Sequence, residues 1–356
     1  MLCLGIETSC DETALALVRD GRLVAERMAS QARVHSVFGG VVPELASRRH
    51  LSAIKSLCSD LLDSTGVDMS SIDRVCAARG PGLLGSLLVG LGFAKGLALG
   101  LDVPLIGVNH LHAHLLAPGL ERDLKFPCLG LLVSGGHTQI YYIRSPREFE
   151  VLGGTLDDAA GEAFDKVAKC LNLPYPGGVF IDRLASQAGP GEPDLFSCPY
   201  VDNDNLDFSF SGLKTAVANY VRSRPGLALE SLKEDIPDNP DPELVRVCAA
   251  FNRCVARTLR IKLEKALNRF DPSSVIVAGG VAANSRLRSE LSDLAGSRGI
   301  ELVLPDTGLC TGNGAMVAYA GYLLARAGLC HDLDLEAVPR GRQVPFDYLQ
   351  CPAEQS

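Results

Sequence analysis

Two hairpins that align at a fixed spacing constrain this chain more than any other feature. Gly5, Ser9 and Thr13 of GIETSCDET match Gly130, Ser134 and Thr138 of GLLVSGGHT without a gap, at an offset of 125 residues. The elements after each hairpin match as well. LCLGIETS (2–9), ETALALVR (12–19) and LVAERMAS (23–30) have the pattern of short strands joined by tight turns. A helix starts at Pro43 with Leu51, Ile54, Cys58 and Leu61 on one face. A strand (73–79), a glycine-rich helix (83–100), a strand (104–108) and a histidine-bearing helix come next. From 126 the order repeats: three strands up to 154, then helices near 157–172, 179–188 and 242–270. A strand (273–279), a helix (283–296), a strand (300–305) and a helix (313–327) complete it. A doubled unit of this kind predicts an α/β protein of two similar lobes with a nucleotide cleft between them. Residues 189–242 break the pattern. They are rich in Pro, Asp and Asn and predict an insertion with long loops, in which FSFSGLKTAV is too patterned for a linker.

Composition excludes some functions. The 356 residues are 47% hydrophobic and 21% charged, as in an ordinary globular protein. A net charge of −8 argues against a basic nucleic-acid clamp, so any RNA is held by local patches or by a partner. The twelve cysteines are scattered and form no C-x-x-C pair. With an acidic residue by position 7 and no signal-peptide pattern, the expectation is a reduced, cytoplasmic protein. Residues 83–108 are apolar, but Lys95, Asp102, Pro104 and several glycines predict a buried helix and strand rather than a membrane span.

The hairpin tips are the first site candidates. Ser134, Gly135 and Gly136 can set successive backbone N–H groups around an anion. The equivalent turn, TSCDE, carries two carboxylates, Asp11 and Glu12, suited to a bridging cation, a donor group or a positioned water. Gly279 and Gly280 end a strand and open a helix, where backbone can approach a base or ribose, and Asn284 is expected in the first turn of that helix. Asp158, Glu162 and Asp165 are expected on one face of a helix, with one carboxylate free for sugar hydroxyls. YPGG (175–178) is another turn that lets backbone come close.

Three of the seven histidines fall in NHLHAHLLA. Asn109 is the expected N-cap, which puts His110 and His114 one turn apart on one face, a two-ligand metal geometry, with His112 pointing away. The spacing is that of H-E-x-x-H, but Leu111 stands where the glutamate base belongs, which disfavours a zinc protease. Two histidines hydrogen-bonded in a helix without metal remain the alternative.

Taken together, GIETSCDETALALV, HSVFGGVVPELASRRH, NHLHAHLLAP, LLVSGGHTQI, LDDAAGEAFDKVAKCLNLPYPGG, DFSFSGLKTAV, AGGVAAN and CTGNGAMVAYAG resemble the bacterial TsaD family of tRNA N6-adenosine threonylcarbamoyltransferases, once described as O-sialoglycoprotein endopeptidases. The resemblance runs from about residue 2 to 342. It implies two duplicated actin/Hsp70/sugar-kinase-like (RNase H-like) lobes: 1–125, with 313–342 packing back on it, and 126–312. A tail at 343–356 is expected to lack structure. The resemblance also implies transfer of threonylcarbamoyl from threonylcarbamoyl-AMP to N6 of adenosine 37 in tRNAs reading ANN codons, with AMP released. ATP or AMP would fit the same cleft. Implied partners are tRNA, a TsaB-like paralogue, a TsaE-like ATPase and a threonylcarbamoyl-AMP synthase, with no membrane.

Residue by residue, the resemblance makes His110 and His114 the ligands of one divalent metal, Fe(2+) by family usage, with Zn or Mg as alternatives. Leu132, Val133, Ser134, Gly135, Gly136, Asp165, Gly178, Asp182 and Asn284 fall on substrate-binding positions. Asp11 and Glu12 fall on the acidic pair near the reacting group. One position departs. The family's third protein ligand is an aspartate in C-T-D-N-G-A-M, and this chain has Gly312 there. Glycine offers no side-chain oxygen, so the expectation is a weakened metal site, with Asp306 near in sequence. SRRH (47–50), the arginines of the 246–262 helix, Arg286, Arg288 and RGR (340–342) are candidate phosphate contacts. Two other classes stay open at this point: an ATP-dependent small-molecule kinase on the same fold, and a non-catalytic scaffold.

Overall fold

The computed structural model describes residues 1–189, 195–230, 235–236, 239–306 and 312–351. The chain divides into two compact units, Met1–Leu124 with Thr311–Ser356, and Lys125–Cys310.

In the first unit, β1 (Leu2–Glu7), β2 (Glu12–Arg19) and β3 (Arg22–Ser30) form an antiparallel meander. β1 is buried along its whole length and β2 along nearly all of it, as their apolar runs require. A short α1 (Ala32–Ser36) leads to α2 (Pro43–Thr65), which opens on the expected proline and buries Ile54, Cys58 and Leu61. β4 (Arg74–Gly80), α3 (Leu84–Leu101), β5 (Leu105–Asn109) and α4 (His110–Leu116) come after it, and the sheet runs β3-β2-β1-β4-β5.

The second unit repeats this order. β6 (Cys128–Val133), β7 (Thr138–Ser145) and β8 (Glu148–Gly154) form the meander. α5 (Ala160–Cys170), α6 (Gly177–Ala185), α7 (Ser211–Arg222) and α8 (Pro242–Leu267) precede β9 (Ser274–Ala278), α9 (Ser285–Arg298) and β10 (Glu301–Val303). The sheet order is β10-β9-β6-β7-β8, the same topology. Register repeats too: Gly5 pairs with Ala16 and Gly130 with Tyr141, while Glu7 pairs with Ala14 and Leu132 with Gln139. The offset of 125 seen in the sequence therefore holds strand partner by strand partner.

The chain ends in the first unit. α10 (Gly314–Arg326) is capped by Asn313, which accepts from the Met316 amide at 2.8 Å. β11 (Leu329–Cys330) pairs with β12 (Leu349–Gln350). Residues 343–351 thus differ from the structureless tail expected. Asp347 pairs with the buried Arg79 guanidinium, and the Tyr348 hydroxyl donates to the Gly107 carbonyl at 2.9 Å. A buried arginine needs a carboxylate, and nothing local in the sequence announces that pairing.

Two further expectations need correction. Helix α3 is not buried on all sides. Ser86, Leu87, Gly90, Leu91, Ala94 and Ala98 are buried, while Leu84, Leu88 and Leu99 are exposed; by length and composition alone the helix could cross a membrane. Helix α5 begins at Ala160 rather than 157, so Asp158 precedes it. Asp158 instead pairs with Lys166 and with Lys214 of α7. The part of the 189–242 insertion within the described residues is anchored. Lys262 of α8 donates to the Asn203 side chain at 2.7 Å and the Asn205 carbonyl at 2.9 Å, and Lys265 donates to the Val201 carbonyl at 2.7 Å. Burial among these groups pushes Lys262 down to about 8.

Candidate active site

Both units place chemistry at the tip of the first hairpin. In the first unit the turn between β1 and β2 carries Ser9, Cys10 and Asp11, and Glu12 opens β2. Burial raises the Glu12 carboxyl well above its usual range, and the adjacent Asp11 carboxylate raises it further. The expected acidic pair is thus also an electrostatic pair, in which Asp11 adds to the effect of burial on Glu12.

The turn is braced from behind by residues whose role the sequence alone does not reveal. The Thr13 hydroxyl lies 2.7 Å from His50 Nδ1, and His50 Nε2 donates to the Cys10 carbonyl at 3.0 Å. Burial lowers the His50 pKa. His50 is therefore a buried support for the acidic turn, not a part of the surface phosphate contact that SRRH suggests. His35 accepts from the Val42 amide at 3.3 Å and bonds Gln31, which in turn reaches His50 at 3.4 Å.

Helix α4 forms as expected. Asn109 caps it by accepting from the amides of Leu111 and His112, at 2.9 and 3.4 Å. The His110 and His114 rings lie edge to face with centroids 4.7 Å apart. His112 is elsewhere, and burial pushes it down to about 3. His110 Nδ1 is 2.9 Å from a carboxylate oxygen of Glu7 and 3.2 Å from the Ser9 hydroxyl. The sequence does not single out Glu7; its only signal is a lone charge in an otherwise apolar strand. Although burial would raise it, the His110 ring holds the Glu7 carboxyl below the usual range.

Two histidines one helical turn apart could supply two nitrogen ligands to a divalent cation. Their rings pack edge to face, and the Nδ1 side of His110 is already engaged. A Cβ built on Gly312 would meet only His110 Cε1 at 3.5 Å and Glu7 Cγ at 4.0 Å, ordinary contacts. The space beside the ring is thus open to a further donor. Among the described residues no group of three or more His, Cys, Asp or Glu is arranged to hold a metal ion.

The second unit builds a turn-lined seat. Leu132 and Val133 end β6, and the Ser134 amide donates to the His137 carbonyl at 2.8 Å, closing the turn that carries Gly135 and Gly136. Two glycines let other elements approach it. A Cβ on Gly161 would fall 2.7 Å from the Ser134 carbonyl, and one on Gly279, at φ +93°, 2.4 Å from the Val133 carbonyl. Larger residues there would push α5 and the β9–α9 connection off the turn. Asp165 accepts from the Gly177 amide at 2.7 Å and so fixes the PGG turn at the start of α6, where Gly178 lies.

Asp182 and Asn284 fall into one network. Asp182 accepts from the Asn252 side chain, the Ser285 amide and the Ser285 hydroxyl, each at 2.9 Å. Asn284 caps α9 and donates to Asn252 at 2.9 Å. Beside this network lies a cavity of about 490 Å³, lined in part by Ser186, Asn252, Arg253, Ser285, Arg286 and Ser289. Asn252 is a second residue the sequence does not flag. The candidate phosphate contacts are partly committed elsewhere: Arg288 donates to the Ala282 and Pro305 carbonyls, and Arg286 and Arg260 both pair with Glu290.

Duplicated mixed sheets in the order seen here, each with a polar hairpin tip, define an α/β protein of the actin/sugar-kinase-like fold. A solved HypF structure from T. kodakarensis shares it, with a TM-score of 0.61 at 14% identity, covering 92% of this chain and 48% of that one. The chain belongs to the TsaD family, whose description, tRNA N6-adenosine threonylcarbamoyltransferase, matches residues 22–319. Relatives of that name are 61% identical in Nitratidesulfovibrio vulgaris and 60% identical in Maridesulfovibrio salexigens, over 99% and 98% of this chain and 99% of each relative. It is a transferase that forms N6-threonylcarbamoyladenosine on tRNA.

Proposed function

We propose that the donor is threonylcarbamoyl-AMP, that the acceptor is N6 of adenosine 37 in tRNAs reading ANN codons, and that Glu12 is the base. An adenine N6 is a weak nucleophile, so the reaction depends on an activated donor and on placement. N6 attacks the carbamoyl carbon, an N–C bond forms, the C–O bond to phosphate breaks, and AMP leaves. The N6 proton passes to Glu12. The observation that carries this assignment is the pair itself: burial and Asp11 make Glu12 a stronger base than an exposed carboxylate. Asp11 orients the carbamoyl group.

The AMP moiety is assigned to the second unit. The Ser134–Gly136 turn would supply backbone amides for its phosphate, Asp165 and Gly178 would serve the ribose, and the cavity beside the Asp182–Asn252–Asn284 network would take the base; the bond from the Gly177 amide to Asp165 and the Asn252–Asn284 bond support this reading. A bound divalent cation, Fe(2+) by family usage, would be held by His110 and His114 and would offset charge on the donor oxygens. The exposed apolar residues Leu84, Leu88 and Leu99 of α3 support a protein partner, for which a TsaB-like paralogue is the candidate, with a TsaE-like ATPase and a donor synthase completing the system. The working compartment is the cytoplasm.

The test is single-turnover transfer from synthetic donor, alongside donor binding by calorimetry. Glu12→Gln is expected to bind donor within about threefold of wild type and to lose about 10²–10⁴-fold in rate. An unchanged rate removes Glu12 from the mechanism.

A further inference from the structure

The Glu7–His110 contact joins a buried carboxylate of β1 to the first residue of the histidine helix. Glu7 is a carboxylate on a fully buried strand, only 1% exposed, a placement that costs stability unless its oxygens are matched. Both are matched. One accepts from the Ser9 amide, and the other lies 2.9 Å from His110 Nδ1. The Ser9 hydroxyl stands 3.2 Å from the same nitrogen. An ionised carboxylate can only accept, so Nδ1 must carry the hydrogen. In the neutral ring this leaves the lone pair on Nε2.

We propose that Glu7 is a positioning residue: it pins the His110 proton on Nδ1 and thereby presents Nε2, with His114, as a preformed nitrogen pair for a divalent cation. The inference rests on the two-histidine metal reading and adds to it a residue outside the ligand set. Glu7 is placed outside the ligand set because it meets His110 at Nδ1, on the side of the ring opposite the ligand nitrogen. An outer carboxylate of this kind fixes ring orientation and strengthens the ligand nitrogen. It matters more here than where an aspartate stands at 312, because Gly312 adds no oxygen beside the ring.

The test has two readouts on the full chain. In metal-free protein, nitrogen-detected NMR of the imidazoles is expected to show His110 with hydrogen on Nδ1, and Glu7→Ala to lose that preference. Zn²⁺ titration by calorimetry is expected to give about a 10–100-fold weaker Kd in Glu7→Ala, partly recovered in Glu7→Gln, which keeps an acceptor and guards against misfolding. A pinned Nδ1–H in a wild-type protein that binds no Zn²⁺ would overturn the metal reading and the proposal with it. Zn²⁺ bound equally well by wild type and both variants would overturn the role of Glu7 while leaving the metal reading intact.

Discussion

Gly312 lies against the Cε1 edge of His110, with room for a Cβ at 3.5 Å. The position expected to carry a metal-binding aspartate therefore has no side chain, and a Cβ there would stand beside the ring in ordinary contact. Gly312→Asp is expected to tighten Zn²⁺ binding at least tenfold, measured by calorimetry, without loss of fold. No change in affinity would mean that position 312 does not face the ion.

Glu12 gives a linked prediction for rate and stability. Its pKa in the folded chain is raised above the ordinary 4.5, so the folded state binds that proton more tightly than the unfolded state does. Its favourable contribution is present below about pH 4.5 and is lost as pH rises through the raised value. Glu12→Gln should therefore be more stable than wild type at pH 8, by denaturant melts, while transfer is lost. Wild-type kcat/KM should fall on the acid side at a pH well above that of a free carboxylate. A Glu12→Gln protein less stable at every pH would contradict this.

His112 works in the opposite sense. Burial depresses it to about 3, so its contribution is whole above the unfolded value near 6.5 and is lost as pH falls toward 3. Between those limits it should cost up to about 1.4 kcal/mol per pH unit. Replacing it in His112→Gln should flatten the acid limb of stability between about pH 6 and 4. An unaltered limb would show that other groups control acid unfolding.

Gly279 tests the proposal that the Ser134–Gly136 turn binds AMP. A Cβ there meets the Val133 carbonyl at 2.4 Å, and φ is +93°. Gly279→Ala is expected to destabilise by about 1–3 kcal/mol and to weaken AMP binding by more than tenfold, with Zn²⁺ binding unchanged. Retained AMP affinity would detach this turn from the substrate.

Asp165 should act on binding rather than on the chemical step. Asp165→Ala frees the Gly177 amide and loosens the PGG turn, raising donor KM about tenfold with a smaller change in kcat. A pure kcat loss would assign it a different role.

The repeated sheets, the hairpin tips and the Asn109-capped histidine helix are legible in the sequence because each rests on local signals: strand alternation, glycine turns and a capping residue. The features that are not legible depend on contacts distant along the chain. Glu7 meets His110 across 103 residues, His50 reaches the Cys10 carbonyl across 40, and Arg79 meets Asp347 across 268. Asp158 looks helical by spacing, but it lies in the loop before α5, paired with Lys166 and with the distant Lys214. Asn252 sits inside a long amphipathic helix, where a lone amide gives no hint of the network that it joins.

The most direct measurement is mass-spectrometric detection of N6-threonylcarbamoyladenosine in an ANN-reading tRNA. The purified protein would be supplied with synthetic threonylcarbamoyl-AMP and a TsaB-like partner, before and after chelation. The expected result is modification that requires Glu12, stops on chelation and returns with iron or zinc. Modification indifferent to both chelation and Glu12→Gln would contradict the proposed site.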